Sequence, residues 1–413
     1  MTKKINAMQC GIMLCLTTIS LKFLVFPSVF ASYAYKDIYI PMLIGLGLDF
    51  CFTLIVLRAI KNNPHLTFFE LLNRSFGKVF ARIVIGLLFI YFFCKGVLII
   101  KEIHNYFNEA LFESINWFVF VVPLFALLAF MMVKDFRTFG RTVQFFLPLI
   151  LLSLIVTILI PSTEADFTNL LPVLEYGGKG VFNALLHCSF AFGDYLILFL
   201  LMGKVSYTQK TQKIILICVG ITDLLVLLFY VVFASIFGNV GLNHSLALSE
   251  VLLYTNITTH TGTVNWLNII VWLVILFLEA GLMFLCSSKA LTELCNFKNK
   301  YVPMMVVCVI LVGAIVYLYL NLIRAVQIVT STVFGASIIG FQVVLPIVCL
   351  IGTKILSGNR KVTLVDVYNN KLVKYQLTNI SAGKTELKLQ SKKLKLTPQI
   401  KIKTPLVKEV ENA

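Results

Sequence analysis

Apolar runs of about 20 residues recur along this chain from end to end, and that pattern constrains the fold more than any other feature. In lipid, each backbone N–H and C=O must find a partner within the protein, so such runs fold as helices. Hydrophobic residues make up 59% of the 413 and charged residues 13%, against about 25% charged in a soluble domain. The sequence therefore describes an all-α integral membrane protein and excludes a soluble helical one. The first run is too long for a cleavable signal peptide, and a second span follows it at once. Ten cysteines are scattered through the chain with no C-x-x-C pair. They read as small buried residues, with neither a disulfide framework nor a metal site.

The pattern predicts ten spans, at about 8–31, 38–60, 83–108, 116–134, 143–161, 180–203, 212–237, 266–290, 302–321 and 325–353. The outer end of the third is polar, so it projects beyond the bilayer. Lysine and arginine cluster at the amino end and in the loops after spans 2, 4, 6 and 8. The alternate loops are poor in basic residues, which puts both termini in the cytoplasm. The net charge of +16 is thus mostly topology and does not argue for nucleic acid. Residues 1–353 read as one permease-like domain, with repeats at about 8–161 and 180–353, and 354–413 as a basic cytoplasmic tail.

Two segments outside the spans carry patterns of their own. "PHLTFFELLNRSFGK" has a capping box, Thr67 with Glu70, and an apolar face, so it predicts a short interfacial helix. The tail has 13 basic residues against 4 acidic ones. It reads either as a solvated segment or as a strand-forming or anionic-lipid-binding one, with Asn369-Asn370 in "KVTLVDVYNNKLVKYQL" as a possible turn.

Six ionisable residues stand at mid-span: Lys22, Asp49, Lys95, Asp194, Asp223 and Glu279. Charges within the hydrocarbon are costly and face the bundle interior. Two bases and four acids allow two ion pairs, leaving two carboxylates able to hold a proton in low dielectric. The cluster serves either as polar clamps between helices or as a ligand or proton site, with Asp49 and Asp223 assigned to a proton or water path. His104 and Asn105 read as solvated, and His187 as a hydrogen-bonded interior histidine.

The two halves of the chain are alike in one respect. Lys22 and Asp194 each lie about 14 residues into the first and sixth spans. Each sits near a helix breaker, Pro27 in "TTISLKFLVFPSVFASY" and Gly193 in "SFAFGDYL". Matching irregular spans in two five-span halves point to a 5+5 inverted repeat of the leucine-transporter-like kind. In that fold helices 1 and 6 are discontinuous and the substrate sits at the breaks.

Several stretches resemble the B-subunit family of spore germinant receptors, endospore germination permeases of the amino acid–polyamine–organocation superfamily. They are "LTFFELLNRSFGKVFARIVIGLLFIYFF", "FGRTVQFFLPLILLSLIV", "DFTNLLPVLEYGGKGVFNAL", "SFAFGDYLILFLL" and "VNWLNIIVWLVILFLEAG". The resemblance implies a multi-pass protein of the spore inner membrane, with no enzymatic activity and no cofactor. It implies that a small, amino-acid-like nutrient binds in a central cavity, and that the chain works with germinant receptor A and C subunits within membrane lipid. Relatives carry a glycine-x-glycine where this chain has Ser20 and Lys22, and a glutamate where it has Asp194.

The residues expected at the ligand are Ser20, Lys22, Lys95, Gly193, Asp194 and Glu279, with Asp194 pairing with Lys22 or Lys95 when the site is empty. A proton-coupled amino-acid or amine transporter is the alternative. A scaffold or ion channel with charges along a water path is a third class.

Overall fold

The structure is a computed structural model and describes residues 4–110, 117–175, 177–208, 210–254, 258–259, 262–263, 265–369, 380–381 and 384–385. Contacts divide the chain into two units, Met1–Thr353 and Lys354–Ala413. The first holds the membrane helices.

The first expected span is two helices, α1 (Ala7–Leu24) and α2 (Phe26–Ala34), separated at Val25, whose φ of −123° and ψ of −40° leave the helical region. Pro27 stands in the first turn of α2. A proline there lacks only an N–H that would have no partner, so it starts the second helix rather than kinking one long helix. The second and third spans are α3 (Tyr39–Asn62) and α5 (Lys78–Ala110), with α4 (Phe68–Phe76) between them. Then come α6 (Trp117–Val133) and α7 (Phe136–Leu159).

The sixth span is the second interrupted one. It is α8 (Gly178–His187) and α9 (Ile197–Leu201), joined by two 3-10 turns and by Gly193 in the left-handed region, φ +85°. The chain continues through α10 (Thr211–Phe237), α11 (Ala247–Tyr254), α12 (Asn265–Cys295) and α13 (Tyr301–Leu320). It ends in α14 (Leu322–Val329) and α15 (Thr332–Asn369). Among the described residues the only strands are two antiparallel pairs of two residues each.

Among the described residues, eight helices are long and apolar enough to cross a membrane, against the ten spans expected. The sixth span is cut by its own break, and α6 is described in full only over Val122–Val133. The expected tenth span is among the eight but starts later than expected, because Thr330 and Ser331 end α14 and cap α15 with their hydroxyls. In the tail, α15 stays helical to Asn369. The first half of the stretch that alternates like a strand is therefore helix, carried on from the span before it.

The interrupted helices lie at the centre. Nearly every residue of α1 is buried, whereas α13 and α15 keep most of their spanning surface exposed. Around α1 stand α7, α10 and α12, and α12 lies along α5. Glycine permits close approach beside two of these helices. A Cβ on Gly96 of α5 would sit 2.8 Å from the Phe284 ring of α12, and one on Gly45 of α3 would sit 2.0 Å from the Phe192 ring at the break.

The expected capping box is present. Glu70 N donates to Thr67 Oγ1 at 3.2 Å, and Thr67 N donates to Glu70 Oε2 at 3.0 Å. The apolar face of α4 is buried, with Phe68 4.4 Å from Phe199 of α9 between ring centroids. At its amino end the chain is pinned beside the end of α9, where Ile5 N donates to Lys204 O and Ser206 N to Ile5 O, both at 2.9 Å. All ten cysteines are free, and Cys51 and Cys295 are exposed, unlike the buried residues expected.

Gly45→Ala drives a methyl into the Phe192 ring. Overpacking of this kind costs about 1–3 kcal/mol, and a lower midpoint of thermal unfolding in detergent is the expected result.

Candidate functional site

The two breaks meet at a buried cluster of charge. Lys22 of α1 donates through Nζ to Oδ2 of Asp194, the first residue after the Gly193 bend. Lys95 of α5 donates to the other oxygen of the same carboxylate, Oδ1, at 2.8 Å. Lys22, Lys95 and Asp194 are 1%, 3% and 6% exposed. Both lysines thus converge on one acid, where sequence arithmetic allowed two separate pairs. A carboxylate has two oxygens and about four acceptor positions, so it can serve two ammonium groups at once. In low dielectric each lysine would repel the other without it.

The other expected residues surround this pair of bridges. Gly193 N–H donates to both Oδ1 and Oδ2 of Asp49, at 3.0 Å each, so α3 holds the bend from the side. Ser20 Oγ–H donates to Oε2 of Glu279, linking α1 to α12. Glu279 Oε1 is buried with no hydrogen-bond partner among the described residues. Asp223 stays apart: it lies half-buried on α10, with no ion pair among the described residues. Phe192 lies beside the cluster, its ring centroid 6.0 Å from Lys22 Nζ and 6.0 Å from that of Phe30.

An unwound helix leaves carbonyls without partners. Here they are met by side chains the sequence reading did not single out. Gln342 of α15 donates through Nε2 to Ser189 O at 3.1 Å and Phe192 O at 2.9 Å. Tyr91 of α5 also donates to Phe192 O, at 2.9 Å. Tyr195 Oη–H donates to Gln342 O at 2.5 Å. A Cβ at position 193 would lie 2.6 Å from Gln342 Nε2 and 2.7 Å from Tyr91 Oη. Only glycine fits both the positive φ and this crowding. The one signal available was the lone amide inside the apolar run "SIIGFQVVLPIV".

Two further polar groups were not anticipated. Between α7 and α12, Asn268 donates to Thr157 Oγ1 at 2.9 Å and Trp272 Nε1 donates to the same oxygen at 3.2 Å, while Ser153 donates to Asn268 Oδ1. At the end of α2, buried Lys36 donates to Leu171 O at 2.8 Å and pairs with Glu175 at 2.6 Å, and Leu174 N donates to Asp37 Oδ1 at 3.2 Å. These tie the loop before α8 onto the end of α2. His187 of α8 shares a 2.6 Å hydrogen bond with Thr330 O and stacks on Tyr33, as an interior histidine. His104 is buried and within 3.3 Å of Asn108, so its expected solvation is corrected. Long α5 carries it into contact with its neighbours.

Three apolar crevices, of about 170, 490 and 520 Å³, lie between α1, α7 and α10, between α6, α7 and α12, and between α5 and α15. None of the three includes the charged side chains, which are enclosed.

A family model described as spore germination protein matches residues 4–327. The chain belongs to this spore germination family. Curated proteins offer no match. Among solved structures, the chain is similar to a mutant form of a manganese transporter from Eremococcus coleocola, with 10% identity and a TM-score of 0.53 over 88% of this chain and 86% of that one. It is likewise similar to the same transporter in complex with an aromatic bis-isothiourea substituted compound, with 11% identity and a TM-score of 0.54 over the same shares. At such identity the likeness shows the fold, that of leucine-transporter-like permeases with interrupted first and sixth helices. Family and fold are those of permeases, not enzymes.

Gln342→Leu removes two hydrogen bonds, those to Ser189 O and Phe192 O, and costs about 1–3 kcal/mol, whereas Tyr91→Phe removes the one to Phe192 O and costs about 1 kcal/mol. Thermal unfolding of the two variants in detergent should rank them in that order.

Proposed function

We propose that this member of the spore germination family is the permease-like subunit of a germinant receptor, binding a small amino-acid-like nutrient at the centre of the membrane. The observation that carries the reading is the Lys22–Asp194–Lys95 bridge across the two helix breaks. An ion pair at a break can be exchanged: a ligand carboxylate takes one lysine, the bridge opens, and the interrupted helices move to a second arrangement. Ser20, Gly193 and Glu279 complete the binding group, and Asp49 and Asp223 serve a proton or water path.

Two buried ammonium groups sharing one carboxylate suit an organic anion better than a divalent cation, which they would repel. The manganese cargo of the solved relative is therefore not carried over. In this reading the chain lies in the spore inner membrane with both termini cytoplasmic and works with A and C subunits of the receptor. Residues 1–353 form its permease domain and 354–413 a basic cytoplasmic tail. A proton-coupled amino-acid or amine transporter is the second reading, favoured by the buried carboxylates.

Lys22→Met removes the charge while keeping the length of the side chain. A lost charged hydrogen bond of about 1.5–3 kcal/mol predicts a germination response that needs about 10- to 100-fold more nutrient, at unchanged protein abundance in the spore. An unchanged dose response at unchanged abundance would remove Lys22 from the site.

A further inference from the structure

Glu279 is the most enclosed acid of the central cluster, and its surroundings do not suit a negative charge. It is 0% exposed. Its Oε2 meets one hydroxyl, that of Ser20, and its Oε1 meets nothing among the described residues. It is within ion-pair distance of no lysine, arginine or histidine there, since Lys22 and Lys95 are both turned to Asp194. A carboxylate offers about four acceptor positions, and one hydroxyl is far less solvation than a buried charge requires. A group so placed neutralises by taking up a proton.

The charge balance of the centre agrees. Lys22 and Lys95 carry two positive charges. Asp194, bonded to both, carries one negative charge, and Asp49, bonded to Gly193 N–H, supplies the second when ionised. With Asp49 ionised, the cluster is neutral when Glu279 is a neutral acid. The groups that act on Glu279 across its neighbours are Lys95 of α5, Asp194 at the bend and Lys22 of α1. Of the other helices packed on α12, α6, α9 and α13 have no charged side chain, those of α7 stand near its amino end, and Glu250 of α11 is within 3.4 Å of His244.

We infer that Glu279 is a proton-exchange site: it holds a proton while Lys95 is bound to Asp194, and gives it up when Lys95 turns to it. In that step the carboxyl O–H bond breaks, the proton passes to water admitted as the breaks part, and the carboxylate left behind pairs with the ammonium of Lys95. Lys95 is thus shared between two acids, and opening of the Asp194 bridge is coupled to loss of one proton. This deepens the reading of the lysine–aspartate bridge as the ligand switch and rests on it for the opening step.

The test uses the full-length chain reconstituted in lipid vesicles, with no added ligand. The readout is the C=O stretching band of protonated carboxyl groups in infrared spectra, followed from mildly acid to alkaline pH. A band at neutral pH that is absent in Glu279→Gln and moves in frequency in Ser20→Ala is the expected result. The band should bleach at the alkaline end in the wild type and persist there in Lys95→Met, which removes the counter-charge.

No carboxyl band at neutral pH overturns the proposal. So does a band that survives Glu279→Gln and vanishes in Asp49→Asn or Asp223→Asn, and so does equal bleaching with and without Lys95. Should Glu279→Gln not fold, the frequency change in Ser20→Ala decides. Because no nutrient is used, a negative result removes the proton site and leaves the germinant reading to its own dose response.

Discussion

A charge in hydrocarbon must be matched, and in this chain one carboxylate matches two. Asp194 holds Lys22 from the first interrupted helix and Lys95 from the long third span. Much of the centre follows from that. Gly193 bends with a positive φ to set Asp194 at the meeting point, Asp49 holds the bend by its N–H, and Gln342 and Tyr91 take up the carbonyls that the bend releases. Gly45 makes room for the Phe192 ring that the same bend turns inward. Each part is explicable only with the others in place.

In the proposed reading, the arrangement also gives a permease fold a means to serve as a sensor. A buried ion pair contributes little net stability, because desolvation offsets most of its attraction, but leaving one partner alone is costly. Such a bridge is firm while complete and exchangeable when a competing charge of the same sign arrives. The bridge spans both breaks, so in the proposed reading exchanging it bears directly on the two interrupted helices. The loop before α8 is fastened to the end of α2 by Lys36, Asp37 and Glu175. The end of α2 and the segment leading into α8 are therefore joined.

A good part of this was legible in the sequence. Apolar runs located most of the spans to within a few residues, although α7 starts at Phe136 and α15 at Thr332 rather than at 143 and 325, and Pro27 and Gly193 marked the interrupted ones. The capping box at Thr67 and Glu70 located α4. All the mid-span charges except Asp223 fell into one cluster, because charges in a bilayer have few other places to go. What was not legible depends on geometry that a one-dimensional pattern lacks. Which acid would take which lysine turned on Asp194 presenting both oxygens. The role of Gln342 exists only because the sixth span unwinds, and residues at such a distance in sequence carry no periodic signal. Lys36 and Asp37 carry no pattern that marks them in the sequence, and the loop at 171–175 that folds back onto them is remote in the chain.

The central claim is that Asp194 is the counter-charge of both lysines, and thermal unfolding of a charge-removal series measures it most directly. Asp194→Asn alone strands two buried ammonium groups and should lose about 3–5 kcal/mol. Adding Lys22→Met and Lys95→Met to that variant removes the stranded charges and should restore most of the loss. Losses that simply add as the three substitutions are combined would contradict the account, since they would show that the lysines do not depend on Asp194.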